Sequence, residues 1–375
     1  MTSARSNWLG SLNQQVDFYQ KSNNKKRVDT EFDWEWLEKS QKPRLRNFAR
    51  SMIKRALIRT GLLNVPPGKR FPSHSQGWLN ENSGLLWDAR LLLEDDLSKL
   101  LFDTSLVLKA TSCHQFYFPR IDFDDFVSVM SEDLFQSNEL PLHYAGLPLK
   151  VFKLLVSEHP QTPPLTIVST KAQVTLLNSY RQYLVRRLSF NLSPIMGDVV
   201  LDCGACIGEI SMLFAGLVGY QGEVHLFDPV PLHARYCKLQ GSLNPSLAHV
   251  FHINELAVGE STRVVFGDRH DASQISPGGL AVNSYSMISL DDYASEKALH
   301  SVDVIKMDIE GAEMAALEGA ANIVRKFRPR LAISTYHKPE DLWEIPHKLK
   351  ELNGDYKLFF GHHSPIEWES VYYAV

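Results

Sequence analysis

Three stretches in the carboxy-terminal half carry residues whose types and spacing can do chemistry. VDVIKMDIEGAE (302–313) puts Asp308 and Glu310 just past an apolar, β-branched-rich run, with Glu313 opening the next helical pattern. ISTYHKPEDLW (333–343) puts His337 in the same position after the following run. A histidine near an acid at a strand end can act as a general base, because imidazole titrates close to neutrality. Glu310 and Glu313 also suit a helix entry, where a carboxylate meets the positive end of the macrodipole. A lone histidine equally suits a purely structural place. The third stretch, VVLDCGACIGE (199–209), reads as a buried strand, a glycine turn and a helix, the arrangement that cradles a nucleotide-like ligand. Gly204 can take the positive φ of the turn, and Gly208 lets the helix pack close to the strand. Asp202, Gly204, Ala205 and Gly208 are the candidate cofactor-lining residues there, with Asp228 closing the next strand in HLFDPVP. An acid at that place can accept hydrogen bonds from both hydroxyls of a ribose.

These features suit either NAD or S-adenosylmethionine, and the glycine spacing separates the two. A dinucleotide site wants G-x-G-x-x-G so that backbone can approach a pyrophosphate. Here Cys206 stands at the second glycine position, and Asp202 in the turn would repel a pyrophosphate while matching the ammonium of a methionine moiety. Charge favours S-adenosylmethionine. Cys203 and Cys206 form a C-x-x-C spacing, but a zinc site needs further ligands that no motif supplies. They read as small packing residues.

The elements that must position these residues are legible from texture. From about residue 191, short apolar strands (DVVLDC, GEVHLFD, HVFHINELAV, SVDVIKMD, RPRLAISTY) alternate with helical patterns at 207–218, 231–243, 311–327 and 339–352. That alternation predicts an open, mostly parallel sheet covered on both faces. DYKLFFGHH and EWESVYYAV follow each other closely, so the last strand is expected to run antiparallel. Residues 79–190 mix helical and strand patterns and form an accessory α+β region. Residues 1–78 are a polar N-terminal segment in which 42–59 read as a basic amphipathic helix, with no acid from 41 to 60. Such a helix docks on its own protein or makes peripheral contact with an anionic membrane surface or glycan.

The chain has 39 Lys and Arg against 43 Asp and Glu, a net charge of −4, which speaks against nucleic acid as a partner. Four cysteines in 375 residues make no disulfide framework. The chain shows no run of about 18 apolar residues and no apolar signal core, so the expected location is cytoplasmic.

Taken together, GDVVLDCGACIGE, GEVHLFDPVP, SLDDY, VDVIKMDIEGAE, YHKPEDLWEIP and SVYYAV resemble, in order over about 195–375, the FkbM family of S-adenosylmethionine-dependent O-methyltransferases. The resemblance implies a Rossmann-like class I methyltransferase fold: α/β, with a seven-stranded, mostly parallel sheet and an antiparallel last strand. The methyltransferase domain would span 191–375, behind the α+β and helical N-terminal region. It implies that Asp202, Gly204, Gly208 and Asp228 line the cofactor. It also implies that Asp308, Glu310 and His337 face an acceptor hydroxyl and that Tyr183 closes over the methionine end. The family usually carries Glu where this chain has Asp228, one methylene shorter.

The expected activity is O-methylation of a saccharide, glycolipid or natural-product hydroxyl, with His337 as base and Asp308 orienting it or the substrate. In an alternative form Asp308 and Glu310 hold a divalent cation that acidifies the hydroxyl. An NAD-dependent sugar oxidoreductase and a non-catalytic cofactor- or glycan-binding scaffold are the readings from other classes.

Overall fold

The computed structural model describes residues 2–25, 76–111, 127–144, 147–156, 164–170, 173–174, 181–268, 271–276, 283–363 and 368–375. The basic stretch 42–59 and Cys113 lie outside the described residues. Seven strands form the central sheet: β1 (Val199–Cys203), β2 (Glu223–Phe227), β3 (Phe251–Asn254), β4 (Val304–Met307), β5 (Arg330–Ser334), β6 (Leu358–His362) and β7 (Ser370–Ala374). Their spatial order is β6-β7-β5-β4-β1-β2-β3. β1 to β5 run parallel, and β7 runs antiparallel to both β5 and β6.

Period-2 alternation divides the strand side chains between two cores. Val200, Val304 and Ala332 face one core together with Met212 and Phe214 of α1 (Glu209–Val218). Leu201, Ile305 and Leu331 face the other, where Leu342 and Ile345 of a later helix pack. Burial on both faces explains why these strands read as continuous apolar runs. After α1 come α2 (Pro231–Leu243), α3 (Glu313–Glu318) and α4 (Asp341–Leu352). Pro231 sits in the first turn of α2, where its missing N–H costs nothing.

The helical pattern at 311–327 is in fact two helices, α3 and the segment Ala321–Phe327. They break at Gly319, where an added Cβ would fall 2.0 Å from the carbonyl oxygen of Gly259. Close backbone approach overrides helix continuity there. The run HVFHINELAV likewise divides. β3 stays in the main sheet, whereas Ala257–Val258 pairs with Met287 and Ile288 in a separate four-stranded sheet.

The N-terminal half braces the domain from two sides. The strand Leu165–Thr170 packs on α1, and α2 satisfies its free edge with side-chain amides. Gln240 bonds both the N–H (3.0 Å) and the carbonyl (2.7 Å) of Val168, and Asn244 does the same for Thr166 at 2.8 and 2.7 Å. An uncovered strand edge is a pairing liability, and two amides cap this one. On the other side, the helix Asp96–Thr111 lies against β6, with Phe102 edge-on to Phe360 at 5.3 Å. Asp103 of that helix takes Trp8 Nε1 at 2.8 Å and a forked bond from Arg90, fixing the helix Thr2–Lys25. Among the described residues no helix is long and apolar enough to cross a membrane.

Candidate active site

The site lies where β1 and β4 leave the sheet side by side, on either side of the point where strand order reverses. Asp202 is opposite Lys306 and Cys203 opposite Met307 in this register. Crevices at that edge are where open parallel sheets bind ligands. The turn after β1 holds Gly204 at φ 84, Cys206 at φ 54 and Gly208 at φ 84. A Cβ at Gly204 would sit 1.9 Å from the carbonyl oxygen of Asp308, and one at Gly208 2.9 Å from Cys237 Sγ. The turn therefore lies directly against the acid that follows β4. Gly204→Ala is expected to destabilise the domain by at least ~1–2 kcal/mol, the cost of the left-handed region for an L-residue. The clash with Asp308 adds to this, and a thermal melt reads the sum.

Asp202 is fully buried and its charge is already matched. Lys306 Nζ stands 2.9 Å from its Oδ1, and Ser211 Oγ of α1 donates to Oδ2 at 2.5 Å. From sequence, Asp202 is set against a ligand ammonium; in the structure its neighbouring cation is Lys306. Lys306 also donates to the carbonyl of Gly204 at 2.7 Å, which ties the turn to β4. Burial works against a charged lysine, but Asp202 and Asp308 outweigh it and raise its pKa.

Asp228, at the end of β2, accepts from Cys206 N and Val230 N at 2.9 Å each, and its Oδ1 lies 3.0 Å from His233 Nδ1. It shapes the turn as well as bordering the crevice. Ala205 is buried in the same turn. The accessory region reaches this place through Tyr144, whose hydroxyl lies 2.7 Å from Cys206 Sγ and 3.4 Å from His233 Nε2. Burial pushes the thiols of Cys203, Cys206 and Cys237 far above the usual range, which makes them packing groups rather than nucleophiles.

The second half of the site gathers on Asp308 and His337. Tyr336 donates to Asp308 Oδ1 at 2.9 Å and Tyr183 to Oδ2 at 3.0 Å. Tyr183 thus rests on Asp308, with its ring 5.3 Å from Lys306 Nζ. Burial raises Asp308, but His337, Lys306 and the two hydroxyls outweigh it and hold the carboxylate below its usual range.

His337 Nδ1 lies 2.8 Å from Glu313 Oε1, an oxygen that also accepts from Ile309 N at 2.9 Å. Glu313, fully buried at the start of α3, holds the imidazole in place; from sequence, Asp308 is expected to orient His337 or the substrate. Nε2 is buried without a hydrogen-bond partner among the described residues, 3.4 Å from Asp308 Oδ1 and 3.8 Å from Glu310 Oε2. Burial opposes protonation of His337, but Glu313, Asp308 and Glu310 prevail and lift its pKa to about 9. One alternative read from sequence has Asp308 and Glu310 holding a divalent cation; here the His337 imidazole stands beside both acids. Glu310 itself is half-exposed, at φ 58 in the turn before α3.

Three further acids were not singled out by spacing. Glu209, the first residue of α1, is buried with Oε2 lacking a hydrogen-bond partner among the described residues, and desolvation pushes it up to about 7. Glu369, at φ 64 ahead of β7, rises to about 7 through burial and Asp308. Asp341, opening α4, rises to about 7 through burial and Glu313. A glutamate directly after the glycine turn was the available signal for Glu209. The other two are set by tertiary contacts alone.

Residues 202–358 match the family model described as the methyltransferase FkbM domain. This part of the chain is similar to FkbM methyltransferase domains. No curated protein matches the chain in sequence. Among solved structures, the methyltransferase FkbM of Methylobacillus flagellatus KT is similar at 19% identity and a TM-score of 0.53. The similarity covers 80% of this chain and 60% of that one, so the chain spans less than two thirds of that relative's length. Fibrillarin of Aeropyrum pernix, crystallised with natively bound S-adenosyl-L-methionine, shows 12% identity over 66% of this chain and 99% of its own, with a TM-score of 0.33. The strand order and the antiparallel β7 of this sheet are those of the Rossmann-like class I methyltransferase fold.

Proposed function

We propose that this domain binds S-adenosylmethionine at the glycine turn and methylates a hydroxyl of a saccharide, glycolipid or natural-product acceptor. The observation that carries this reading is the contact between the two halves of the crevice. Gly204 lies against Asp308, and beside Asp308 the buried Glu313–His337 pair holds Nε2 3.4 Å from that acid, without a hydrogen-bond partner among the described residues.

The residues present fit the cofactor. The turn is a cradle that a Cβ would fill, Asp228 borders it, and acids outnumber the cations Lys306 and His337 around the crevice. An anionic crevice favours a sulfonium and disfavours a pyrophosphate, which argues against NAD. When bound, S-adenosylmethionine supplies a methyl group already activated by the sulfonium charge. The protein's own part is alignment, worth roughly 7–11 kcal/mol when two reactants are held in line, and removal of the hydroxyl proton. Glu313 holds His337 Nδ1, so the proton goes to Nε2, as in a carboxylate–imidazole pair. The resulting imidazolium is stabilised by Glu313 and Asp308.

Calorimetric titration with S-adenosylmethionine, S-adenosylhomocysteine and NAD tests the reading, alongside Asp228→Ala. Binding of the two adenosyl ligands, weakened about 10- to 150-fold in the variant, is expected from the loss of charge-assisted bonds of roughly 1.5–3 kcal/mol. Binding of NAD instead, or of none of the three, removes the cofactor assignment and the roles built on it.

A further inference from the structure

Away from the crevice, the amino-terminal ends of β2 and β3 bring two imidazoles and a carboxylate together. His225 and His252 are register partners on these adjacent parallel strands, so their side chains leave the same face side by side. Their rings stack at 4.6 Å, 19° from parallel. Glu223, two residues before His225 and on the same face, places Oε2 2.8 Å from His225 Nε2 and 3.8 Å from His252 Nε2. One ligand atom from each residue lies within 4.8 Å of the others. We infer that Glu223, His225 and His252 form a binding site for a divalent transition metal ion of the zinc class, pinning edge strand β3 to β2.

The donor chemistry suits such an ion. Two imidazoles and one carboxylate are borderline ligands preferred by zinc, whereas magnesium and calcium prefer all-oxygen sets. His225 is also held from behind. Its Nδ1 lies 2.8 Å from the hydroxyl of Tyr293, whose ring meets it edge-on. That outer contact is the usual device for aiming a metal-binding imidazole. Without metal, one consistent arrangement has Nε2–H donating to Glu223 and Nδ1 accepting from Tyr293. Binding needs the Nε2 lone pair, so the proton passes to Nδ1 and is donated to the Tyr293 oxygen; the imidazole stays neutral throughout.

The site is open on one side. His225 is 4% exposed, but His252 and Glu223 are 41% and 47% exposed, which leaves an entry path and a position for water. A tetrahedral zinc ion holds its ligand atoms about 3.3 Å apart, so the 2.8 Å and 3.8 Å separations from Glu223 Oε2 must each adjust by about half an ångström. The two half-exposed side chains can supply that by rotation. Lys297, whose Nζ lies 5.8 Å from the Tyr293 ring, is the nearby charge that opposes a cation.

The test uses the full chain, freed of metal by chelation and titrated with Zn²⁺ and Co²⁺. One Zn²⁺ per chain, a rise in melting temperature on binding, and a Co²⁺ visible spectrum without a thiolate charge-transfer band are expected. His252→Ala and Glu223→Gln, both at half-exposed positions where the fold is retained, should each weaken binding by on the order of tenfold or more. His337→Gln, in the crevice, should leave it unchanged. Absence of binding, a thiolate band, unaltered affinity in His252→Ala and Glu223→Gln, or loss in His337→Gln would each overturn the inference.

Discussion

Replacing His337 by glutamine is expected to lower kcat by roughly 10²–10⁴, the range a positioned base contributes, with little change in cofactor affinity. The pH dependence gives the sharper signature. Its pKa of about 9 leaves His337 protonated at neutral pH. The competent neutral form then increases tenfold per pH unit, and the rate climbs to a plateau above about pH 9. Glu313→Gln removes the buried anion that supports the imidazolium. The limb should then move toward the ordinary imidazole range, and the rate should also fall as the ring loses its orientation.

Stability follows the same linkage with a definite sign. The folded-state pKa lies above the ordinary imidazole value of 6.5. The contribution of His337 is therefore fully present below about 6.5 and is lost as pH rises through 9. A flat pH–rate profile in the native enzyme, together with near-normal turnover in His337→Gln, would take His337 out of the reaction.

Much of this architecture is written in local pattern. Strand and helix alternate from 199 onward because each strand is buried on both faces, and a closely spaced final pair forces β7 to reverse. The glycine turn and the acids after β4 are legible because each sits at a strand end, where side chains leave the sheet. What local pattern does not carry is pairing across strands. Lys306 in VIKM looks like an ordinary polar alternation, and only the register that sets it opposite Asp202 reveals a buried ion pair. Glu313 reads as a helix-entry acid until β5 delivers His337 to its side. Tyr144 stands 62 residues from Cys206 in a different sheet, and no spacing rule connects them. Helix breaks behave alike: Gly319 interrupts a good periodic pattern because Gly259 comes too near.

The register pair also yields the largest stability effect expected of this domain. Lys306 is 2% exposed and stands between Asp202, itself fully buried, and Asp308. Lys306→Met keeps the apolar stem but strands a buried carboxylate, and breaking such a pair from one side typically costs about 3–5 kcal/mol. Removing both charges together leaves no stranded ion, so Asp202→Asn combined with Lys306→Met should be less damaging than the sum of the single changes. Thermal or denaturant unfolding of the four proteins in this double-mutant cycle measures the coupling directly.

A cofactor effect should accompany it. Lys306 Nζ also holds the Gly204 carbonyl, so the turn loosens in Lys306→Met even where the domain stays folded at low temperature. S-adenosylmethionine affinity should then fall in the single variant and should not recover in the double one, because neither asparagine nor methionine can restrain that carbonyl. Strictly additive unfolding energies would show that Asp202 and Lys306 do not act as a pair. Recovery of cofactor affinity in the double variant would show that the charge balance, rather than the grip on the turn, is what the cofactor requires.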